Sequence, residues 1–448
     1  MQVDRLTHVS SWAQYQIDIY ARLLPPALPT SFADWEARAR ARLGNRSFNY
    51  VHGSAGAGRT CCANVQAFDA YRLVPRMLTG GAPGERELGV SLFGKCYASP
   101  LLIAPVGVQS IVHRDAERAT ARAAAAMNVP FVLSTASSTN LEDVAAAHSM
   151  VAAAKATEYE NSSNKVAPPD KWFQLYWPLD DNITASLLQR AEKAGFSVLV
   201  VTLDTFTLGY RPADLDESYL PFIWGEGCAI GLNDPVFDAM YRAQIASQPA
   251  PTMFDKIKLL LTRSRGSLSL LLALLFLHNR IFRALAWMNQ AFSGTHKTWE
   301  DLSVLREHWR GPIVLKGVQS VTDVHTAIAH GVDGVIVSNH GGRQVDGAIA
   351  SIDALAKIAA DEKVKESGIR LLFDSGVRTG SDVVKALALG AHAVLIGRPC
   401  IYGLAMAGQR GVEHVLRCLL AEMEITMANI GLNRVADLSR DVLAMPRA

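Results

Sequence analysis

A histidine and an arginine stand close together in the stretch VSNHGGRQVDG, residues 337–347, directly after an apolar run. An imidazole that follows a buried strand can act as a general acid or base, and a guanidinium can bind a carboxylate or phosphate through paired hydrogen bonds. Two glycines separate His340 from Arg343, and glycine permits a tight turn and a close approach of the backbone to a flat ligand. Taken alone, the stretch is also compatible with a solvated loop, so its meaning depends on the elements around it.

Eight short apolar runs alternate with segments of helical periodicity over most of the chain. The runs are continuous rather than alternating, as expected of parallel strands that are covered on both faces. They are Pro100–Gly107, Pro130–Ala136, Lys171–Trp177, Ser197–Asp204, Pro312–Gly317, Gly334–Asn339, Arg370–Gly376 and Ala393–Arg398. Eight strand–helix units predict a (β/α)8 barrel, a TIM barrel of the α/β class, and a doubly wound sheet is the alternative.

Two segments fall outside this rhythm. Residues 1–97 are predicted to be an N-terminal helical segment packed on the barrel, which takes residues 98–448. An insertion over about residues 212–297 separates the fourth and fifth strands, and it is long for a loop. Its apolar part, 268–288, begins with the run Leu268–Leu277, which would span about 15 Å as a helix and is too short to cross a bilayer. We expect a lid or subunit-contact helix there; contact with a membrane surface and disorder are the alternatives.

Composition excludes several classes of protein. The formal net charge of +2, without a concentrated basic arm, argues against a nucleic-acid partner. The six cysteines form no CxxC pair and no metal-ligand spacing, which indicates reduced thiols and no metal site. The first residues lack the charged head and apolar run of a secretory signal, and the last residues are not a peroxisomal address. We therefore expect a cytoplasmic protein, which is membrane-associated only if the insertion attaches to lipid.

Polar residues concentrate at the carboxyl ends of the predicted strands, where barrels hold their active sites. They are Gln174, Tyr176, Thr202, Asp204, Lys316, Ser338, His340, Asp374, Arg378 and Arg398. Solvation alone does not explain so many polar groups converging on one mouth. The stretches FDSGVRTG and IGRP, after the seventh and eighth strands, combine glycines with arginines as barrel phosphate sites do. The sequence therefore predicts a phosphorylated cofactor inside the barrel.

Several motifs resemble those of the FMN-dependent α-hydroxy acid oxidases and dehydrogenases, namely SNHGGRQ, TLDTFTLGYRPADL, FQLYW and VLIGRP. The resemblance spans about residues 48–438 apart from the insertion, and several details are most similar to lactate 2-monooxygenase. It implies FMN as the cofactor and oxidation of a 2-hydroxy acid by O2 with oxidative decarboxylation. An oxidase that releases hydrogen peroxide, or a dehydrogenase that passes electrons to a quinone or another carrier, is the alternative. We also expect a homo-oligomer, a tetramer or larger.

The resemblance implies which residues bind the substrate. Arg211 and Arg343 would clamp its carboxylate, because a guanidinium fork fits a carboxylate in a bidentate fashion. Tyr50 and Tyr176 would hydrogen-bond its hydroxyl and carboxylate oxygens. The ordinary alternative for both tyrosines is a place in the core.

The resemblance also implies the catalytic groups. His340 would be the general base, and Asp204 would pair with it and stabilise the imidazolium. Lys316 would lie beside the edge of the flavin where negative charge appears on reduction. Without the motifs, Asp204 would be read as a helix cap and Lys316 as a surface lysine.

The residues expected around FMN follow the same rim. Near the ring and ribityl chain they are Pro105, Val106, Gly107, Ser134, Gln174, Thr202, Lys316 and Ser338. Near the ribityl chain and phosphate they are Asp374, Ser375, Gly376, Val377, Arg378, Gly397 and Arg398. Gly107 stands where many relatives have alanine and is expected to leave more room above the flavin. Ala136 stands where some relatives carry a bulky residue, which predicts a roomier substrate pocket.

Overall fold

The computed structural model describes residues 11–80, 86–155, 167–246 and 278–444. Eight parallel strands form a closed barrel. Numbered in chain order, they are β1 Leu101–Ile103, β2 Phe131–Ser134, β3 Lys171–Tyr176, β4 Leu199–Thr202, β5 Ile313–Val318, β6 Gly334–Val337, β7 Arg370–Phe373 and β8 Ala393–Ile396. Each strand pairs with its neighbours along the chain, and β8 pairs with β1. The (β/α)8 prediction is confirmed, and the doubly wound alternative is wrong because an open sheet would have two unpaired edges.

Helices follow each strand and cover the outside of the barrel. In order they are Ala116–Met127, Leu141–Ala154, Asp181–Lys193, Leu302–His308, Val321–Ala329, Ser351–Ile358 with Glu362–Ser367, Gly380–Ala388, and Arg398–Ala407 with Gln409–Asn429. Short polar side chains start several of them, because Ser320, Asp361 and Thr379 each accept a backbone N–H from the first helical turn.

Alternation along the strands decides which side chains enter the barrel. The interior is packed by Leu102, Val132, Trp172, Val200, Val314, Ile336, Leu372 and Leu395. Successive side chains of a strand point to opposite faces, so the next inward position lies two residues further on. Those positions are Ala104, Ser134, Gln174, Thr202, Lys316, Ser338, Asp374 and Gly397. The interior is therefore apolar along the strands and becomes polar at their carboxyl ends.

The N-terminal segment contains helices Gln14–Ala21, Phe32–Arg42, Asn45–His52 and Arg59–Gln66. Its end differs from the expected helices and loops, because Val90–Leu92 and Lys95–Tyr97 form an antiparallel hairpin. Leu92 and Tyr97 pack into the interior cluster of the barrel, so the hairpin forms part of the barrel core.

The described part of the insertion is folded onto the barrel. It contains helices Pro212–Asp216, Ala229–Leu232, Pro235–Ala246 and His278–Ala291. The run Leu268–Leu277 lies outside the described residues. The rest of the apolar segment buries Ile281, Ala284 and Trp287, and a Cβ at Gly231 would overlap the Trp287 ring. This portion therefore packs these apolar side chains against its own chain, and contact of the segment with a second subunit or a membrane surface stays a prediction. Within the described ranges, no helix is both long and apolar enough to span a bilayer.

Candidate active site

The turn after β6 requires its two glycines. His340, Gly341 and Gly342 have φ angles of 59°, 64° and 75°, so three consecutive residues adopt the left-handed conformation. This conformation is uncommon for any residue with a side chain, and glycine adopts it without a penalty. A Cβ at Gly342 would also lie 2.5 Å from the backbone nitrogen of Cys61. The glycines thus let the backbone turn sharply and present the His340 ring to the cavity that it lines.

A buried carboxylate orients this imidazole. His340 Nδ1 lies 2.9 Å from Asp204 Oδ1, which also accepts a 2.7 Å hydrogen bond from the Thr205 hydroxyl. Because an ionised carboxylate can only accept, Nδ1 carries the proton and Nε2 is left with a free lone pair. Burial raises the pKa of Asp204, but His340 and Lys316 outweigh it and hold that pKa below its usual range. Burial lowers the pKa of His340, so its ring is neutral at neutral pH and available as a base.

Two arginines meet beside this pair without a carboxylate partner. Arg343 Nη1 donates to the carbonyls of Tyr50 and Gly53 at 2.6 and 2.9 Å. Arg211 donates to the Arg343 carbonyl and to the Gln344 side chain at 3.1 and 2.9 Å. Neither guanidinium forms an ion pair within the part of the chain that the structure describes. Burial, and then repulsion from Arg211, lowers the pKa of Arg343 to about 9, which leaves it charged at neutral pH. Buried Arg211 and half-buried Arg343 thus have no carboxylate within ion-pair distance, although Asp214 lies near enough to act on both charges, and such a pair of cations can bind an anion.

Two tyrosines complete this part of the cavity. Tyr50 lies in helix Asn45–His52, with the Arg343 guanidinium carbon 5.1 Å from its ring centroid, and Tyr176 ends β3. Neither hydroxyl bonds to another of the described residues, although both side chains are largely buried. Burial raises the pKa of both hydroxyls, so both remain protonated and can donate to a bound oxygen.

The inner wall has the donors that a flavin ring needs. Lys316 Nζ lies 3.1 Å from Ser338 Oγ and 3.4 Å from Asp374 Oδ2. The side-chain Oε1 of Gln174 accepts from Ser134 Oγ at 2.9 Å, while its buried Nε2 has no partner in the described structure. A buried amide N–H without a partner is costly, and a ring carbonyl of FMN would satisfy it. These residues therefore fit the ring of the cofactor.

The opposite end of the cavity fits a phosphate. Arg378 and Arg398 line it together with the glycine-containing segments 374–377 and 396–397. Helix Arg398–Ala407 begins here, and the backbone N–H groups of a helix start attract anions. Burial, and then repulsion from Arg398, lowers the pKa of Arg378. Neither arginine pairs with a carboxylate in the described ranges, so both charges are available to a phosphate.

Most of the predicted residues line this one cavity. They are Tyr50, Pro105, Val106, Gly107, Tyr176, Arg211, Lys316, His340, Arg343, Asp374, Ser375, Gly376, Val377, Arg378, Gly397 and Arg398. Ser134, Gln174 and Ser338 are not among the lining residues; Ser134 and Gln174 bond to each other and Ser338 bonds to Lys316, so contact of these three with the flavin stays a prediction. Thr202 and Asp204 instead line a neighbouring cavity, so the contact of Thr202 with the flavin stays a prediction.

The sequence interpretation missed Thr205, Leu208, Phe222 and Phe292, which also line the cavity. The two phenylalanines come from the insertion, and their ring centroids are 5.2 Å apart. Phe292 is also 5.2 Å from the ring of Tyr176. No periodicity or motif marked these rings, whereas Thr205 could have been noticed as the neighbour of Asp204.

The expectation of extra room at Gly107 is wrong. A Cβ at this position would lie 2.5 Å from the carbonyl oxygen of Ala136 and 2.6 Å from its Cβ. The backbone after β2 therefore fills the space that a methyl group would take, and Val108 N donates to the same carbonyl at 2.8 Å. The glycine serves a close backbone contact, so it leaves no open volume on that side.

A histidine–aspartate pair, two arginines without a carboxylate partner and a basic, glycine-lined end of one barrel cavity are the features expected of a flavin-dependent oxidoreductase of hydroxy acids. The FMN-dependent dehydrogenase family matches residues 39–445, and the chain belongs to this family. It is 43% identical to an FMN-dependent alpha-hydroxy acid dehydrogenase of Penicillium citrinum, over 93% of this chain and 91% of the relative. It is 38% identical to an L-lactate oxidase of Lysinibacillus sphaericus, over 92% and 91%.

Solved structures of mandelate oxidase also resemble this chain. A crystal structure of mandelate oxidase superimposes with a TM-score of 0.69 at 31% identity, covering 93% of this chain and 98% of that one. The cofactor of the present enzyme is therefore FMN, and its reaction is the oxidation of an α-hydroxy acid.

Proposed function

We propose that this enzyme oxidises 2-hydroxy acids that have an apolar side chain of medium size. The observation that carries this proposal is the arginine pair Arg211 and Arg343, which has no carboxylate partner in the described ranges, beside the free Nε2 of His340. Beyond these groups and the residues assigned to FMN, the wall contains Ala136, Leu208, Phe222 and Phe292. A charged substrate side chain would be desolvated against this wall without a partner, so an aromatic or branched aliphatic side chain fits better.

The chemistry follows from where the charges stand. The arginine pair binds the carboxylate, and the hydroxyls of Tyr50 and Tyr176 donate to the substrate's oxygens. His340 Nε2 then accepts a proton from the substrate as its α-carbon is oxidised, and Asp204 stabilises the imidazolium that results. FMN, when bound, accepts the two electrons that leave the α-carbon. This first half of the reaction yields the corresponding 2-oxo acid.

For the electron acceptor we propose O2, which takes the two electrons and two protons and becomes hydrogen peroxide. The peroxide attacks the retained 2-oxo acid, whose C1–C2 bond breaks to give carbon dioxide, water and an acid one carbon shorter. The support is the insertion, because Phe222 and Phe292 both lie in the cavity wall and can slow the escape of the 2-oxo acid. Space at Gly107 does not support decarboxylation, because the backbone at Ala136 fills that space. The alternatives are an oxidase that releases peroxide, as the relation to an L-lactate oxidase suggests, and a dehydrogenase that uses a quinone or another carrier. Assembly as a tetramer or larger and a cytoplasmic location stay predictions.

A single set of turnovers in air tests both parts of the proposal. Acids with phenyl, branched aliphatic and carboxylate side chains are compared while oxygen uptake, peroxide and carbon dioxide are measured together. We expect the apolar acids to exceed the dicarboxylic acid in kcat/KM by on the order of a hundredfold, because burying an unpaired charge costs several kcal/mol. We also expect carbon dioxide in proportion to oxygen. Stoichiometric peroxide without carbon dioxide would indicate an oxidase, and flavin reduction with little oxygen uptake would indicate a dehydrogenase.

A further inference from the structure

We infer that Asp346 is a positioning residue that keeps Tyr50 and the two arginines aligned on the substrate carboxylate. Asp346 lies three residues after Arg343, in the polar stretch that follows β6. It does not line the cavity, so its effect on the substrate would pass through the segment that it holds. That segment is residues 53–60, GSAGAGRT, which we call the tether loop.

Asp346 grips the tether loop through three backbone amides. Its Oδ2 accepts from Ala57 N at 2.8 Å, and its Oδ1 accepts from Arg59 N and Thr60 N at 2.7 and 3.4 Å. Arg59 and Thr60 begin a helix, so a carboxylate from a distant part of the chain satisfies amides that have no partner within that helix. Asp346 therefore fixes the tether loop against the loop that carries Arg343.

The contact requires a glycine in the tether loop. Gly56 has a φ of 51°, and a Cβ there would lie 2.6 Å from Asp346 Oδ2. The tether loop must therefore lack a side chain at the point where the carboxylate approaches it. The two glycine-rich stretches therefore meet at one contact. Gly56 leaves room for the carboxylate, and the turn at residues 340–342 places Asp346 beside the tether loop.

The tether loop in turn connects the three parts of the carboxylate site. Ala55 N donates to the Gly342 carbonyl, and Gly56 N donates to the carbonyl of Tyr210, the residue before Arg211, both at 2.9 Å. Arg343 Nη1 donates back to the carbonyl of Gly53 at 2.9 Å. The loop also continues directly from the helix that contains Tyr50. If Asp346 released the loop, the segment that carries Tyr50 and both arginine-bearing loops would lose a shared support.

The test compares Asp346→Asn with Asp361→Asn in the FMN-loaded enzyme; its kinetic part rests on the proposed function. Asp361 is the matched control because it accepts from Val364 N at 3.0 Å at the start of another helix, and it does not line the cavity. Anaerobic mixing with a 2-hydroxy acid gives the apparent Kd and the limiting rate of flavin reduction. We expect Asp346→Asn to raise Kd about tenfold and to change the limiting rate less than about threefold, because binding geometry is lost while the base stays in place. Asp361→Asn should change neither.

Hydrogen exchange supplies a readout that does not depend on activity. The amides of residues 57–60 should exchange faster in Asp346→Asn and remain as in wild type in Asp361→Asn. If Asp346→Asn does not fold, Gly56→Ala is the second variant, because a Cβ there would lie 2.6 Å from Asp346 Oδ2 and would displace the carboxylate from the loop. Unchanged exchange, or a Kd within twofold of wild type in the variant that folds, would overturn the inference. If no 2-hydroxy acid reduces the wild-type flavin, the proposed function fails, whereas the exchange result still decides whether Asp346 holds the loop.

Discussion

Replacing Asp204 by asparagine is expected to slow flavin reduction by on the order of 10²–10³-fold while FMN stays bound. The carboxylate oxygen lies 2.9 Å from His340 Nδ1. With charge centres about 4 Å apart and an effective dielectric constant of about 20, its attraction for an imidazolium is worth about 4 kcal/mol. Since about 1.36 kcal/mol corresponds to one power of ten, the upper bound is about 10³-fold, and water that enters the neighbouring cavity would reduce it.

The same substitution should move the pH profile in a defined direction. Reduction needs a neutral base, so its rate rises with pH through the pKa of His340 and is level above that pKa. Burial lowers the pKa of His340, and Asp204 opposes this by favouring the imidazolium. Without the carboxylate the pKa falls further. The acid limb of Asp204→Asn should therefore shift to lower pH, even though its plateau is lower.

The assay is a single turnover in anaerobic stopped flow, recorded across about pH 5–9, where histidine titrates. Thr205→Val is the matched control, because it removes the 2.7 Å hydroxyl bond to Asp204 and keeps the charge. We expect this control to lose less than about tenfold in rate, as befits one hydrogen bond. A plateau for Asp204→Asn within about fivefold of wild type would show that Asp204 does not stabilise the imidazolium, and so would an acid limb that moves to higher pH.

Three further predictions concern binding and stability. Arg343→Met should weaken binding of the acid by on the order of a hundredfold, measured from the concentration dependence of flavin reduction. The control Arg306→Met breaks an exposed ion pair with Asp333 and should leave binding unchanged. Equal Kd values for the two variants would contradict the role of Arg343 in binding the carboxylate. Trp287→Ala should lower the free energy of unfolding in urea by about 3–5 kcal/mol, because the ring is 2% exposed, and a loss below about 1 kcal/mol would contradict its place in the core. Burial lowers the pKa of His148 to about 4, below the value of about 6.5 expected on unfolding. The contribution of the neutral ring to the free energy of unfolding is therefore fully present above pH 6.5 and is lost as the pH falls toward 4. His148→Leu should therefore be less sensitive to acid than wild type by up to about 3 kcal/mol, and identical pH dependence in urea unfolding would show that His148 is not the group involved.

The barrel and the place of His340 at its mouth could be predicted because short sequence patterns encode both. A continuous apolar run predicts a strand covered on both faces, and a polar residue at its end predicts a place at the mouth. The pairing of Asp204 with His340 was implied by the family motifs that contain both residues, and the structure places the two side chains 2.9 Å apart. The hairpin at residues 90–97 was missed because its turn, Phe93–Gly94, uses positive φ angles without the usual Asn–Gly signal.

Other features depend on contacts between distant segments. Phe222 and Phe292 reach the cavity because helix His278–Ala291 docks through Trp287 onto Gly231, and no local pattern encodes that docking. At position 107 this sequence has glycine where many relatives have alanine, so the sequence alone shows that a methyl group is missing. Only the approach of Ala136 shows that the backbone occupies that space, because cavity volume is set by tertiary packing.

The central claim is that His340 removes a proton while the arginine pair holds the carboxylate of a 2-hydroxy acid. The most direct measurement is anaerobic flavin reduction by one apolar 2-hydroxy acid, by the same acid with deuterium at its α-carbon, and by its neutral amide. We expect full reduction by the acid, with formation of one equivalent of 2-oxo acid and a primary isotope effect on the rate. Reduction by the amide should be slower by on the order of a hundredfold, since the charge-assisted pair is lost. A flavin that stays oxidised with every acid tested, or that is reduced equally fast by the acid and the amide, would contradict this claim.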